Sequence, residues 1–414
     1  MGIRPSDLGT LPPDWKAVKF GAITKVRQGL QIAISERLTK PTVASQEYIT
    51  IQSINRQNQG REYVESPSAR VTCKSDDVLM TRTGNTGIVV TGVEGAFHNN
   101  FFLIDFDRKE LDSIFLVNYL RSPRVQHVLL TKAGASTIPD LNHKDFYSID
   151  FPLAPLSEQK KIAKILSTWD KAITTTEQLL ANSQQQKKAL MQQLLTGKKR
   201  LLDKNGVKFS GEWIHGRLGD LCVFKGGSAF KEVYQGQSEG ELPFIKVSDM
   251  SLPGNERSIE YSNNWVSIET AKLMKAKPFP ERSIVFAKVG AALLLNRRRI
   301  LSRPTILDNN MMAATPSSAA DTEFLYQLLI AIDFARFVQE GAVPSINQGD
   351  LSSFILSYPY VEEQQKIAAV LSSADQEISA LQQKIDALKQ EKKALMQQLL
   401  TGKRRVKIDD KEFV

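Results

Sequence analysis

Four histidines (His98, His127, His143 and His215) and two cysteines (Cys73 and Cys222) are the residues to question first about catalysis or metal binding. They are scattered, with no cysteine or carboxylate cluster at ligand spacing, so the chain spells out no zinc site. His143 sits in a polar loop and is expected at the surface rather than on a metal. No paired-carboxylate constellation stands out, no GxGxxG follows a strand, and there is no GxxxxGK(S/T) phosphate loop. The aromatic-Pro-Pro tetrapeptide with which amino-methyltransferases hold an extruded base is absent as well. The residue types that remain suit recognition, not catalysis.

Arg and Lys toward guanine, Asn and Gln toward adenine, and hydroxyls toward phosphate are the side chains of base and backbone contact. Three polar loops of the first half carry them: VRQGLQ with Arg27, Gln28 and Gln31, NRQNQGR with Asn55, Arg56 and Gln57, and TRTGNTG with Arg82, Thr83, Asn85 and Thr86. In the last of these Gly84 and Gly87 allow a tight turn, and it is the favoured candidate. The second half offers Lys225, Ser228 and Lys231, then Lys246 and Ser248 in a central strand, then Lys288 at the position matching Arg82. Asn296, Arg297, Arg298 and Arg299 follow as the densest positive run in either half, suited to phosphate. Closing loops add His143 and Lys144, and Ser345, Asn347 and Gln348; Asn142 and Asn347 match in the repeat and equally suit helix caps. Each of these sets has an alternative as an ordinary solvated turn or face.

Bulk properties agree with a polyanionic partner. The chain has 414 residues, 42% of them hydrophobic, enough for two or three globular units, and a formal charge of +9. That surplus favours nucleic acid first and acidic membrane surfaces second. Two distant cysteines argue against a disulfide framework and for a reducing cytoplasm. No apolar run of a signal peptide or membrane span occurs; FLYQLLIAIDFARF is broken by Gln327, Asp333 and Arg336.

What positions the loops is an internal repeat. KKALMQQLLTGK runs from Lys187 and again, letter for letter, from Lys392, a shift of 205 residues. Walking back, SEQKKIAKILSTWDKAI from Ser157 aligns with EEQQKIAAVLSSADQEI from Glu362 at the same shift. Both copies carry a four-three ladder. The first reads Ile162, Leu166, Trp169, Ile173, Leu180, Leu190 and Leu194, with Thr176, Ser183 and Lys187 as polar rungs. The second reads Ile367, Leu371, Ala374, Ile378, Leu381, Ile385, Leu388, Leu395 and Leu399, with Lys392 polar. A spacing near 3.5 residues is a coiled-coil seam, and polar rungs fix its register at some cost in stability. Pro155 and Ser157 mark an entry, Gly197 and Gly402 mark stops, and each helix should run about 40 residues, or ~60 Å. The order domain, helix, domain, helix predicts an antiparallel pair within one chain, a strut between two domains, over a homodimer zipper. The KKR and KRR tails at Lys198 and Lys403 suit the helix dipole or phosphate, not base reading.

The blocks between the helices echo each other. Trp15 and Gly21 match Trp213 and Gly219; EYITIQSI matches PFIKVSDM as a strand; DDVLMTRTGNTG matches RSIVFAKVG. A helix is expected over residues 115–130 and 324–338, and Pro139, Asn142 and Asp145 match Pro344, Asn347 and Asp350 at 205. Both blocks are therefore expected to be one mixed α+β fold with different loops, and the loops should hold the information.

This plan, a variable block ending in LAPLSEQKKIAKIL, a long helix closing on LLTGK, and then the whole again, resembles the specificity subunit of a type I restriction-modification system over essentially the full chain. The resemblance implies an α+β fold with two target recognition domains separated by two antiparallel coiled-coil helices. It divides the chain into a first recognition domain (1–155), a central helix (156–203), a second recognition domain (204–360) and a C-terminal helix (361–408). It also implies a subunit without catalytic activity that binds double-stranded DNA, each domain reading one half of a split, asymmetric target. Two methyltransferase subunits would dock on it and supply adenine-N6 methylation with S-adenosylmethionine; restriction subunits would add ATP- and Mg-dependent cleavage. No cofactor is expected on this chain, and the location is cytoplasmic. Two other readings are open: a coiled-coil scaffold joining two protein-binding domains, and the recognition part of another phage-defence system.

Overall fold

The computed structural model describes residues 8–55, 60–134, 139–339 and 343–408. The chain folds as two compact units that cut across sequence order. Unit 1 is Met1–Glu177 together with Gln383–Val414, and unit 2 is Gln178–Gln382. The reason lies in the two long helices, Leu156–Leu194 and Val361–Leu399, each of 39 residues. Each helix gives its first half to one unit and its second half to the other.

In unit 1 the start of the first helix lies antiparallel to the end of the second. Lys392 Nζ meets Asp170 at 2.5 Å and Lys389 meets Glu177 at 2.7 Å. In unit 2 the end of the first helix runs against the start of the second, where Lys187 Nζ meets Asp375 at 2.5 Å and Ser183 donates to Glu377. Lys187 and Lys392 are the same letter of the repeated dodecapeptide, and Asp375 and Asp170 are likewise matched. Both lysine rungs thus have one physical reason: each lysine finds the aspartate of the opposite helix only in this register. Every rung of both ladders is buried or half-buried, from Ile162 and Leu166 through Trp169 and Leu180 to Leu388 and Leu399.

The dodecapeptide also answers to the globular parts. Leu395, Met396, Leu399 and Leu400 enter the core of unit 1 beside Trp15, Ile162 and Leu166. Leu190, Met191, Leu194 and Leu195 enter the core of unit 2 beside Trp213, Ile367 and Leu371. After the stops at Gly197 (φ 71°) and Gly402 (φ 70°), the tails turn back. Arg405 forks onto the fully buried Glu158, which also accepts from the Trp15 indole; Arg200 forks onto the buried Glu363, which accepts from Trp213. Arg200 and Arg405 are clasps, charged partners for carboxylates that would otherwise be stranded in the core.

Each unit carries small sheets. Unit 1 has an antiparallel sheet in the order Thr24–Gln28, Phe101–Phe106, Val78–Thr81, Val89–Val90, and a mixed one ordered Tyr63–Glu65, Ser45–Ile49, Gly95–Phe97, Thr72–Cys73. Unit 2 repeats the plan with Cys222–Gly226, Met311–Pro316, Ile284–Ala287, Arg299–Leu301 and Ser258–Ile259, and a three-stranded sheet around Leu242–Ile245. A two-stranded ribbon ties the start of each block to its end: Lys16–Lys19 with Asp150–Leu153, and Ile214–Arg217 with Ile355–Tyr358.

Some elements differ from expectation. The expected helix over 115–130 is two, Ser113–Arg121 and Pro123–Ala133, because Ser122 precedes a proline and takes extended angles. Its counterpart is a helix, Thr322–Ala331, and then a 3-10 turn, Phe334–Phe337. The strands EYITIQSI and PFIKVSDM stop at Ile49 and Ile245 and give way to helical turns. Among the described residues no helix is long and apolar enough to cross a membrane.

Candidate nucleic-acid interface

In unit 1 the candidate residues meet around one turn, His98–Asn100. The strand Thr24–Gln28 leads into Gly29, where a Cβ would stand 2.1 Å from the Phe97 carbonyl oxygen, so only glycine lets the two chains touch. Leu30 N–H donates to Phe97 O, and Asn99 N–H donates to Leu30 O. Gln28 Nε2 donates to the Asn99 carbonyl at 3.3 Å, and Asn99 Nδ2 donates to Gln31 Oε1 at 2.7 Å. From the other side Arg82 N–H donates to Asn100 O at 2.7 Å, and Leu141 N–H donates to Arg82 O. The Arg82 guanidinium donates to both oxygens of Asp140 at 2.9 Å and lies 5.4 Å from the Phe102 ring, against which His143 also packs at 4.9 Å. Gln28, Gln31, Arg82, Thr83 and His143, drawn from three loops, are thus brought together, with Asn85 and Lys144 exposed nearby in sequence.

Two candidates of unit 1 need correction. Arg27 alternates with Gln28 along its strand, so it points to the other face of the sheet. There it donates to both Asp105 oxygens and to the carbonyls of Ala69 and Arg70, and Asp105 raises its pKa. Thr86 is buried, its hydroxyl donating between the carbonyls of Arg82 and Pro139; it shapes the turn and does not face outward. Asn55 ends a short helix, Ile51–Asn55, but its side chain, with Arg56 and Gln57, lies outside the described residues.

Unit 2 has the same frame with other side chains. Gly227 touches Asp308 O as Gly29 touches Phe97, Ser228 N–H donates to Leu307 O, and Lys288 N–H donates to Asn310 O. Ile346 N–H donates to Lys288 O, which holds the half-buried Ser345 beside it. Lys225 and Ser228 line a groove of about 510 Å³ together with Lys275, Lys277 and Phe279. Those two lysines were missed; their signal is the close spacing of Lys272, Lys275 and Lys277 before Pro278. Lys231, Ser248 and Gln348 are exposed, the last as first residue of the helix Gln348–Ser352.

The arginine run is not a surface run. Arg298 is only 2% exposed, its guanidinium stacked 3.6 Å over Phe334 and donating to Asn296 Oδ1 and Arg297 O. Burial pushes its pKa down to about 9, and it stays charged at neutral pH. Arg299 lies in a strand and donates to Arg298 O and Met250 O, and Asn296 accepts from Phe334 N–H as well. Arg297 is the exposed one, donating to Ser251 Oγ. Lys246 is turned inward onto Gln235 and the Phe230 ring. Asn347 caps the helix at Gln348, accepting from Asp350 N–H at 2.8 Å, as Asn142 does from Asp145; both are caps.

No group of three or more His, Cys, Asp or Glu among the described residues could hold a metal ion. Both thiols are buried and their pKa values are pushed up, Cys73 to about 11 and Cys222 to about 12, so neither is a reactive thiolate.

Twin α+β blocks with one frame and two sets of loop side chains are matched by a family model. The type I restriction-modification DNA specificity domain covers residues 12–182 and again 210–390. The chain belongs to this DNA specificity family. Among curated members, the type I restriction enzyme MjaVIII specificity subunit of Methanocaldococcus jannaschii is 25% identical over 96% of this chain and 94% of that one. The MjaIX specificity subunit of the same organism is 23% identical over 98% and 96%. The crystal structure of a type I restriction-modification S subunit from M. genitalium shares the fold, with a TM-score of 0.59, 16% identity, and coverage of 95% of this chain and 98% of that one. A chain from a study of complex assembly in a type I system gives a TM-score of 0.57 at 20% identity. The chain is thus a DNA recognition subunit, and its two specificity domains fit a target in two parts.

Proposed function

We propose that the protein reads a split, asymmetric site on double-stranded DNA, with residues 1–155 and 204–360 as the two recognition domains. The helices, residues 156–203 and 361–408, set the spacer between the half-sites and dock two methyltransferase subunits. The assembled cytoplasmic enzyme methylates adenine N6 with S-adenosylmethionine bound by those partners, and restriction subunits, where they join, bring ATP and Mg. The observation that carries this reading is the doubled frame. Arg82 and Lys288 are held by identical backbone hydrogen bonds, to Asn100 and Leu141 in one unit and to Asn310 and Ile346 in the other. One scaffold used twice with different side chains is what reading two different half-sites requires. The doubled helical surface likewise supports two equivalent docking places for one kind of partner.

Two measurements test this. Native mass spectrometry of the assembled complex should show two methyltransferase copies per chain; one copy at saturation contradicts the docking. Inserting one base pair between the half-sites rotates them by about a tenth of a turn. Binding to that site should fall to the non-specific level, and unchanged binding contradicts a fixed spacer.

A further inference from the structure

The turn that joins the loops carries the same dipeptide in both units, Asn99-Asn100 and Asn309-Asn310, while its neighbours differ: His98 against Asp308 before it and Phe101 against Met311 after it. Its place in the frame is identical. His98 N–H donates to Ile49 O and Asp308 N–H to Ile245 O, and residue 98 or 308 accepts from the second asparagine's N–H, through Nδ1 in one unit and Oδ1 in the other. The turn therefore closes with either an imidazole or a carboxylate at its first position, and the asparagine amides do not close it. Nor does the backbone call for asparagine, since none of the four is among the residues of positive φ. Asn309 and Asn310 are exposed, one backbone hydrogen bond from Lys288. In unit 1 the amide of Asn99 instead holds the exposed Gln31. An amide facing DNA offers the donor and acceptor that match adenine N7 and N6.

We propose that the twin asparagine turn is a specificity element of both units. In unit 2 the Asn309 amide contacts a base edge directly. In unit 1 Asn99 is a positioning residue that fixes Gln31 to do the same. This rests on the DNA-reading function above, and the test separates the two. The complex of the full chain with its methyltransferase partners selects sites from a randomised duplex library. The wild type returns one split motif. Asn309→Ala loses preference at one position of one half-site by roughly 5- to 150-fold, the worth of a bidentate base contact. Asn99→Ala and Gln31→Ala both relax one and the same position of the other half, a coincidence that a purely structural asparagine would not give. Melting temperatures are measured alongside; if Asn99→Ala unfolds unit 1, the exposed Gln31→Ala and Asn309→Ala still decide. Full preference kept by both of these variants, or an equal loss on every sequence, overturns the proposal. A wild type that selects no motif overturns the functional reading itself, and the turn with it.

Discussion

Arg82 and Lys288 stand at one place in two copies of one frame, yet they are held differently. One nitrogen of the Arg82 guanidinium, Nη2, donates to both Asp140 oxygens and Phe102 supports its face, so the guanidinium has one orientation. In unit 2 the position of Asp140 is filled by Ser345, and Lys288 reaches over Gly226, where a Cβ would come within 3.0 Å of its Nζ. A fixed fork suits bidentate recognition of one base, whereas a lysine acts as a mobile point charge. The frame is shared and the stiffness of the side chain it presents at this place is not. Unit 1 should discriminate sharply at this position and unit 2 loosely.

The largest test concerns what the units share. Leu194→Ala and Leu399→Ala remove matched, buried leucines at the ends of the two helices, and each should cost about 2–5 kcal/mol in denaturant unfolding. A large loss in one and none in the other would break the equivalence of the two units. Next, Arg82→Ala should cost about 1–3 kcal/mol of discrimination at one position of one half-site. Asp140→Ala should relax that same position, while Ser345→Ala leaves the Lys288 position unchanged, both read by competition binding. Equal losses on all sequences would instead place Arg82 on phosphate. Third, Arg297→Ala should lower the slope of log binding constant against log salt by about 1, and Arg298→Met should leave it unmoved while lowering stability. The smallest effect is on pH. The His98 ring must be neutral at Nδ1 to accept from Asn100, and burial, then Arg37, lowers its pKa, with Tyr48 packed beside it. A lowered value means the stabilisation is full above the ordinary imidazole pKa of about 6.5 and is lost as pH falls through the folded value. The protection factor of the Asn100 amide should therefore fall on acidification, its exchange slowing less than the intrinsic rate does. At Asn310, where Asp308 accepts, protection should hold over the same window; parallel behaviour would remove this difference between the units.

The helical frame was legible in the sequence because no insertion disturbs the shift of 205 there, and the ladder spacing alone places both seams. The clasp was not. Glu362 and Glu363 look alike as letters, and only folding shows that Glu363 is buried under Trp213 with Arg200 on it. The asparagine turn was passed over because its copies lie 210 apart, at positions 100 and 310, so a search at constant shift misses them. The run of arginines misled for a different reason: stacking on Phe334 and hydrogen bonds to Asn296 and Arg297 hold Arg298 inward, and a count of charges carries no direction. Arg27 is similar, its guanidinium held by Asp105 on the face of the sheet opposite its neighbour Gln28. Which side chain of each loop faces out is decided by pleat and packing, and loop composition does not carry that.

The most direct test of two unlike reading units on one strut is a genome-wide map of N6-methyladenine in the host with and without this gene. The account predicts a single motif of two unlike halves separated by a gap of fixed length, methylated only when the gene is present. A contiguous motif, a gap of varying length, or a map that does not change with the gene would contradict it.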